Sequence, residues 1–169
     1  MEALLPHLPR RTWTRRLTLA AVLSSVLLLG GLVYAFVNEA LSAALEAATP
    51  YVEQGFEVRE DNWSGEVTPG KPLLVQHQVF RGNEYWFWAG TSWPGATVRV
   101  DVFDSAGNGV ALETFAEGPQ AGARALPEAT GTYNIRVITE YDPESPAAKE
   151  VGDIDFEGMV DWGLVYGYR

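Results

Sequence analysis

The chain contains no cysteine, only two histidines, and only twelve basic residues against 22 acidic ones. Without cysteine, neither a disulfide framework nor a thiolate metal site can form. Residues 1–37 carry a formal charge of +3 from four arginines and one glutamate, and the remainder carries −13. An acidic body repels the phosphate backbone of nucleic acids, so nucleic-acid binding is not expected.

The sequence motifs of common catalytic sites are also missing. No Gly-rich phosphate loop, histidine metal pair or nucleophile elbow occurs. His7 lies in the basic N-terminal tail and His77 on a predicted buried strand face, so neither suggests a catalytic triad. The sequence therefore predicts a protein that is not an enzyme.

Residues 17–37, LTLAAVLSSVLLLGGLVYAFV, form a run of 21 residues without a charge. A helix of this length spans roughly 30 Å, the hydrocarbon thickness of a bilayer. Arginines precede the run and Glu39 and Glu46 follow it, so the positive-inside rule makes residues 1–16 a cytoplasmic basic tail. We therefore predict a single-pass protein of the bacterial inner membrane, with its C-terminal domain periplasmic or extracellular.

A cleaved signal peptide is the alternative interpretation of the same run. The apolar region of a signal peptide is usually about 7 to 15 residues long, shorter than this one, although SAA at residues 42–44 is a possible cleavage site. The length favours a retained signal-anchor. Within it, Gly31 and Ala35 form a small-xxx-small pair, a weak indication that the anchor self-associates.

Residues 38–50 are rich in strong helix formers, and the helix that they form is expected to end before Pro50. Leu41, Leu45 and Ala48 lie on one face at helical spacing. We predict a helical stalk that continues the anchor. A short helix–helix seam is the alternative, but the apolar stripe covers less than two heptads.

From residue 51 to residue 169 the hydrophobic pattern has a period of two, interrupted by glycine, proline and asparagine. Six clear strands and two weaker ones predict an all-β domain, an antiparallel jelly-roll-like sandwich of seven to eight strands. Within each of three strands, one set of alternate residues shares a face. These sets are Leu73, Val75, His77 and Val79; Val98, Val100 and Val102; and Val160, Trp162, Leu164 and Tyr166. The set at residues 73–79 is expected to be buried.

Three stretches carry a family resemblance: RGNEYWF at residues 81–87, VDVFDSAGNGVA at 100–111 and PEATGTYNIRV at 127–137. Their order resembles that in bacterial pre-peptidase C-terminal (PPC-like) domains, over roughly residues 69–139. The resemblance implies a small β-sandwich with a non-catalytic accessory role and, in some members, calcium or matrix binding. Thr97 and Arg99 stand where many members have acidic residues, which argues against an inherited metal site.

Two acidic stretches are candidate calcium sites. In DSAGNG, counting from Asp104 places Ala106 and Phe115 where a calcium loop needs oxygen ligands, so we predict a hairpin turn there. In GDIDFEG, Asp153, Asp155 and Glu157 alternate along one strand face and form the better candidate. A solvated acidic edge that blocks strand addition is the favoured interpretation of these residues, so we expect no cofactor, with calcium as the alternative.

Aromatic residues form the remaining candidate site. Trp86, Trp88 and Trp93 are the hypothetical ligand-binding set, with Trp93 on a loop tip before Pro94. Core packing of most of these rings is the favoured interpretation. We therefore expect a non-catalytic accessory or interaction subunit whose partner is another membrane or extracytoplasmic protein. The alternative is a carbohydrate- or matrix-binding module that uses exposed aromatic rings.

The predicted topology can be tested with a reporter enzyme that is active only outside the cytoplasm, fused after Arg169. We expect activity from the full chain, and none after deletion of residues 17–37, because the deleted chain is no longer exported. Activity of a cytoplasmic reporter at the same position, or a mature protein that begins near Leu45, would contradict the predicted anchor.

Overall fold

The computed structural model describes residues 38–151 and 158–169. In chain order these residues form helix α1 (Glu39–Val52), β1 (Glu57–Val67), β2 (Leu73–Val79), β3 (Tyr85–Gly90), β4 (Ala96–Phe103), β5 (Ala111–Glu117), β6 (Gln120–Ala125), β7 (Gly131–Tyr141), helix α2 (Pro146–Val151) and β8 (Val160–Tyr168). The anchor predicted at residues 17–37 lies outside this part of the chain. Neither of the two helices in this part has the length and apolar character to cross a bilayer.

The eight strands form two antiparallel sheets, as the alternating pattern predicts. One sheet has the order β1-β8-β3-β6-β5 and the other the order β2-β7-β4. This is the strand order of a jelly roll, except that β5 pairs with β6 in the larger sheet instead of lying beside β4. The mostly β fold is therefore confirmed for the described residues.

The main hydrophobic core lies between the two sheets. On β4, Val98, Val100 and Val102 are at most 3% exposed, while Thr97 and Arg99, which alternate with them, are exposed. The predicted buried set of β2 contributes Val75 and Val79 to this core, and the residues that share one face of β8 contribute Val160, Trp162, Leu164 and Tyr166. On β4, period-two alternation thus separates the buried face from the exposed one.

The turn at Asp104 is confirmed, but it does not join two strands of one sheet. The Asp104 carboxylate accepts hydrogen bonds from the backbone N–H groups of Ala106 and Asn108, at 2.9 and 2.8 Å. Gly107 has a φ of 85°, which glycine adopts readily. The hairpin is confined to the turn itself: after a single antiparallel bridge between Phe103 and Gly109 the chain crosses to the other sheet.

Helix α1 exists as predicted, but it is not a stalk. It begins at the N-cap Asn38, whose side chain accepts a hydrogen bond from the N–H of Leu41 at 2.9 Å, and it continues through Pro50. Its buried residues are Ala40, Ala44, Ala47 and Ala48, whereas Leu45 of the predicted stripe is 45% exposed. The helix therefore packs with its alanine face against the outer face of the five-stranded sheet.

Two glycines of the sheet allow this packing. A Cβ on Gly90 would lie 2.5 Å from the Ala40 carbonyl oxygen, and one on Gly163 would lie 2.7 Å from the Cα of Leu41. Real Cβ atoms do not come this close to backbone atoms, so glycine is required at both positions. Because α1 covers one face of β3 and the second sheet covers the other, all six residues of β3 are buried.

We expect Gly163→Ala to lower the free energy of unfolding by about 1–3 kcal/mol, because the added methyl forces the helix away from the sheet. Gly131→Ala is the matched control, since nothing lies within 4 Å of a Cβ there, and it should change stability by less than about 0.5 kcal/mol. Thermal unfolding followed by circular dichroism measures both. Equal losses in the two variants would contradict the close approach of α1.

Candidate functional site

An open cleft of about 550 Å³ lies between the C-terminal half of α1 and the β5–β6 side of the larger sheet. Helix α1 forms one wall, and the outer face of the sheet forms the floor and the opposite wall. The residues that line it are Glu46, Ala47, Pro50, Tyr51, Gln54, Phe56, Glu84, Trp86, Glu113, Phe115, Glu117, Gln120, Arg124 and Arg169. Their side chains are aromatic rings, carboxylates and guanidinium groups for the most part.

Aromatic rings from three elements meet in the cleft. The Tyr51 ring lies 4.4 Å from the Trp86 ring and 6.2 Å from the Phe115 ring, centroid to centroid, and is nearly parallel to the latter. Trp86 is 2% exposed, while Tyr51 and Phe115 are partly exposed. Since Trp86 is held between helix and sheet, it supports the two more exposed rings in fixed positions.

Glu84 organises the charges at one end of the cleft. It accepts hydrogen bonds from Arg124 Nη1 at 2.6 Å and from Arg169 Nε at 2.9 Å. Arg169 also donates to the carbonyl oxygen of Gln54 at 2.8 Å, which joins the C-terminal strand to the end of α1. The hydrogen bond from Arg124, followed by that from Arg169, lowers the pKa of Glu84, so this carboxylate stays ionised.

The remaining carboxylates leave the cleft with an excess of negative charge. Four glutamates and two arginines line it. Glu113 lies 3.1 Å from Arg124 Nε, but no basic side chain of the described residues pairs with Glu46 or Glu117. Burial raises the pKa of Tyr51, and the charges of Glu113 and Glu117 raise it further. A cation is therefore the complementary charge for this cleft.

The predicted tryptophan site does not form at the surface. Trp86 and Trp88 are 2% and 0% exposed, because α1 covers the strand face on which they lie. Trp93 packs partly buried against the other core, between the sheets. Its loop is held by Asp161, which accepts hydrogen bonds from the N–H groups of Ser92 and Trp93 at 2.9 and 3.2 Å. The hypothesis that these three rings form an exposed binding platform is therefore wrong.

The calcium candidates have different outcomes. Asp153, Asp155 and Glu157 lie outside the described residues, so that hypothesis stays a prediction. At the other acidic stretch, Asn108 Nδ2 also donates to Asp104 at 2.9 Å, and this bond, with backbone ones, lowers the pKa of Asp104. Across residues 38–151 and 158–169, no three histidine, aspartate or glutamate side chains come together as a metal site.

The sequence alone does not predict the cleft, although the pattern of one of its walls is visible in it. Glu113, Phe115 and Glu117 alternate along β5 and so share one strand face. Glu46 and Tyr51 lie on α1, and no local sequence pattern indicates that this helix packs on the sheet. The charged end, formed by Glu84 with the two arginines, joins residues that lie 40 and 85 positions apart in the chain.

A smaller cleft of about 270 Å³ lies beside β2 and β8 and includes His77. The imidazole is half-buried among rings, with centroid distances of 4.0 Å to Tyr166 and 5.6 Å to Trp63. Tyr166 in turn donates a hydrogen bond to Asp61 at 3.4 Å. Burial lowers the pKa of His77, and the nearby charge of Asp61 opposes that shift. His77 is thus held neutral as part of the core, as its predicted inward position implies.

Comparisons with known proteins identify no family for the chain. No protein-family model matches it, and no curated protein does. Among solved structures it is similar to PliG of Aeromonas hydrophila, a periplasmic lysozyme inhibitor of g-type lysozyme. The identity is 19% and the TM-score 0.42, over 69% of this chain and 90% of that one. A likeness of this strength carries no argument about function, and the resemblance to pre-peptidase C-terminal domains stays a prediction.

The stability of the domain should fall as the pH drops below about 6.5, the ordinary pKa of histidine. Because the folded state lowers the pKa of His77, the unfolded chain binds the proton more tightly. The contribution of neutral His77 to the free energy of unfolding is therefore complete above pH 6.5 and is lost as the pH falls toward the folded pKa. Melting temperatures between pH 7.5 and 5.5 should drop for the wild type and for His7→Phe, but less for His77→Phe. Equal drops in all three proteins would contradict this role of His77.

Proposed function

We propose that the chain is a membrane-anchored, non-catalytic interaction protein that holds a partner protein in the cleft between α1 and β5–β6. The observation that carries the proposal is the combination of two partly exposed rings, Tyr51 and Phe115, with unpaired carboxylates in one open cleft. Tyrosine and other aromatic residues are enriched where proteins bind each other, and charges at the rim select the partner.

The cleft is organised in advance of binding. Glu84 joins β3 to β6 through Arg124 and to the C-terminal end of β8 through Arg169, and Arg169 also contacts the end of α1. Hydrogen bonds between ionised groups are stronger than neutral ones. The walls of the cleft are therefore tied together, and little ordering is required when a partner binds.

The ionised groups of the cleft support binding in preference to catalysis. A general acid or base works best when its pKa lies near the operating pH. The pKa of Glu84 is lowered and that of Arg124 is raised by their mutual hydrogen bond. Both shifts move the groups away from neutrality, so they act as fixed charges.

The location is part of the same proposal. The uncharged run at residues 17–37 and the arginines before it support an anchor with the remainder of the chain outside the cytoplasm. Helix α1 begins at Glu39 and packs on the sheet within the first turns. A partner in the same membrane, or in solution close to its surface, is then the accessible one.

The proposal can be tested with a bulky residue at the rim of the cleft. Glu46→Trp places an indole beside Gln120, and it should reduce recovery of the partner by about tenfold or more, because the indole occupies space in which the partner binds. Glu39→Trp is the matched control, because it changes an exposed glutamate of the same helix away from the cleft. Partner recovery is measured by crosslinking in native membranes, followed by purification of the full chain.

The wild type and Glu39→Trp should recover the same companion protein in stoichiometric amount. Melting temperatures of the three proteins show whether each is folded. Full recovery of the companion with Glu46→Trp, or a wild-type protein that carries no companion, would refute the proposed use of the cleft.

A further inference from the structure

We infer that the bound part of the partner is an extended segment with cationic side chains at alternate positions, which runs along β5 and places them in the cleft. This inference rests on the proposed function and specifies the chemistry of the partner. It depends on three observations: the position of β5 at the edge of the five-stranded sheet, the charges of the cleft, and its partly exposed rings.

Strand β5 is an edge strand of the five-stranded sheet. Six of its seven residues are exposed, and Phe115 is half-buried. Glu113, Phe115 and Glu117 line the cleft, and alternate residues of a strand are about 6.8 Å apart. An extended segment beside β5 has the same spacing, so its alternate side chains reach the same three positions.

The charges along this face select cations. Glu117 and Glu46 have no basic partner among the described residues, and Glu113 shares Arg124 with Glu84. Both guanidinium groups of the cleft contact Glu84, so neither is available for an anionic ligand. A lysine or arginine of the partner placed opposite Glu117 would pair with a carboxylate that no basic side chain in residues 38–151 and 158–169 neutralises.

The rings of the cleft favour a cationic group for a second reason. Tyr51 and Phe115 are partly exposed in it, and an ammonium or guanidinium group is attracted to an aromatic face. The domain already uses this contact at the border of the cleft, where the Arg169 guanidinium lies 4.6 Å from the centroid of Phe56. Carboxylate and ring together distinguish the cleft from an acidic edge that serves only to prevent aggregation.

A second copy of this chain does not fit as the occupant. Pairing of β5 with another β5 brings Glu113 and Glu117 against the same glutamates of the other copy, and like charges opposite each other destabilise a strand pair. The chain as a whole carries a net charge of −10. The complementary occupant is therefore a basic segment of a different protein.

A set of heptapeptides tests the inference directly on the full chain in non-ionic detergent. The probe alternates threonine with arginine. One control replaces each arginine by the uncharged isostere citrulline, and a second places the same three arginines next to one another. We expect the alternating peptide to bind about tenfold or more tightly than either control. Isothermal titration calorimetry measures the dissociation constants.

Three charge variants show whether binding occurs at the cleft. Glu117→Lys should weaken binding of the alternating peptide by about tenfold or more, and Glu117→Gln should weaken it less. Glu60→Lys gives the same change in net charge on β1, the opposite edge of the same sheet, and should leave the affinity within about twofold. Melting temperatures of each variant confirm that it is folded.

The inference is overturned if the wild type does not bind the alternating peptide. It is also overturned if the citrulline peptide, or the peptide with three adjacent arginines, binds equally well. The same holds if Glu60→Lys weakens binding as much as Glu117→Lys. These outcomes are separable from failure of the proposed function. If Glu46→Trp abolishes partner recovery and Glu117→Lys leaves it intact, the cleft binds a partner of other chemistry. If Glu46→Trp leaves recovery intact, the proposed function itself fails.

Discussion

The close approach of the α1 backbone to the five-stranded sheet is the constraint on which the rest of this structure depends. At Gly90 and Gly163 the distances exclude even a methyl group, and the alanines of α1 are short enough to fill the contact. Because the helix lies so close, β3 is buried on both faces and its tryptophans become core residues. The same helix ends above β5 and β6, where the sheet extends beyond it, and this leaves the cleft.

The ion-pair network around Glu84 turns that opening into a defined site. A carboxylate that is 17% exposed makes contacts with two arginines, one on β6 and one directly after β8. Its desolvation is offset because both oxygens accept charge-assisted hydrogen bonds. The consequence for binding is a cleft whose positive charges are used internally and whose outward field, at Glu46 and Glu117, is negative.

The strands with one wet face were the predictable part of the fold. Alternation placed Val98, Val100 and Val102 correctly, because a strand puts successive side chains on opposite faces whatever it packs against. The same reasoning failed for β3, where both faces are buried, and for α1, where leucines suggested the contact surface and alanines form it. The turn at Asp104 was readable from local hydrogen bonding, but the sheet that the chain enters next was not.

The sequence by itself determined the acidic character of the domain, the absence of disulfides and the two-sheet fold, since charge, residue type and period-two alternation are local properties. Even the β5 face of the cleft, with Glu113, Phe115 and Glu117, follows from such alternation. Only the tertiary structure decided that Tyr51 and Glu46 stand opposite that face. Glu46 and Gln120 are 74 residues apart, and their contact depends on how closely a helix can approach a sheet, which is set by the shapes of both surfaces together.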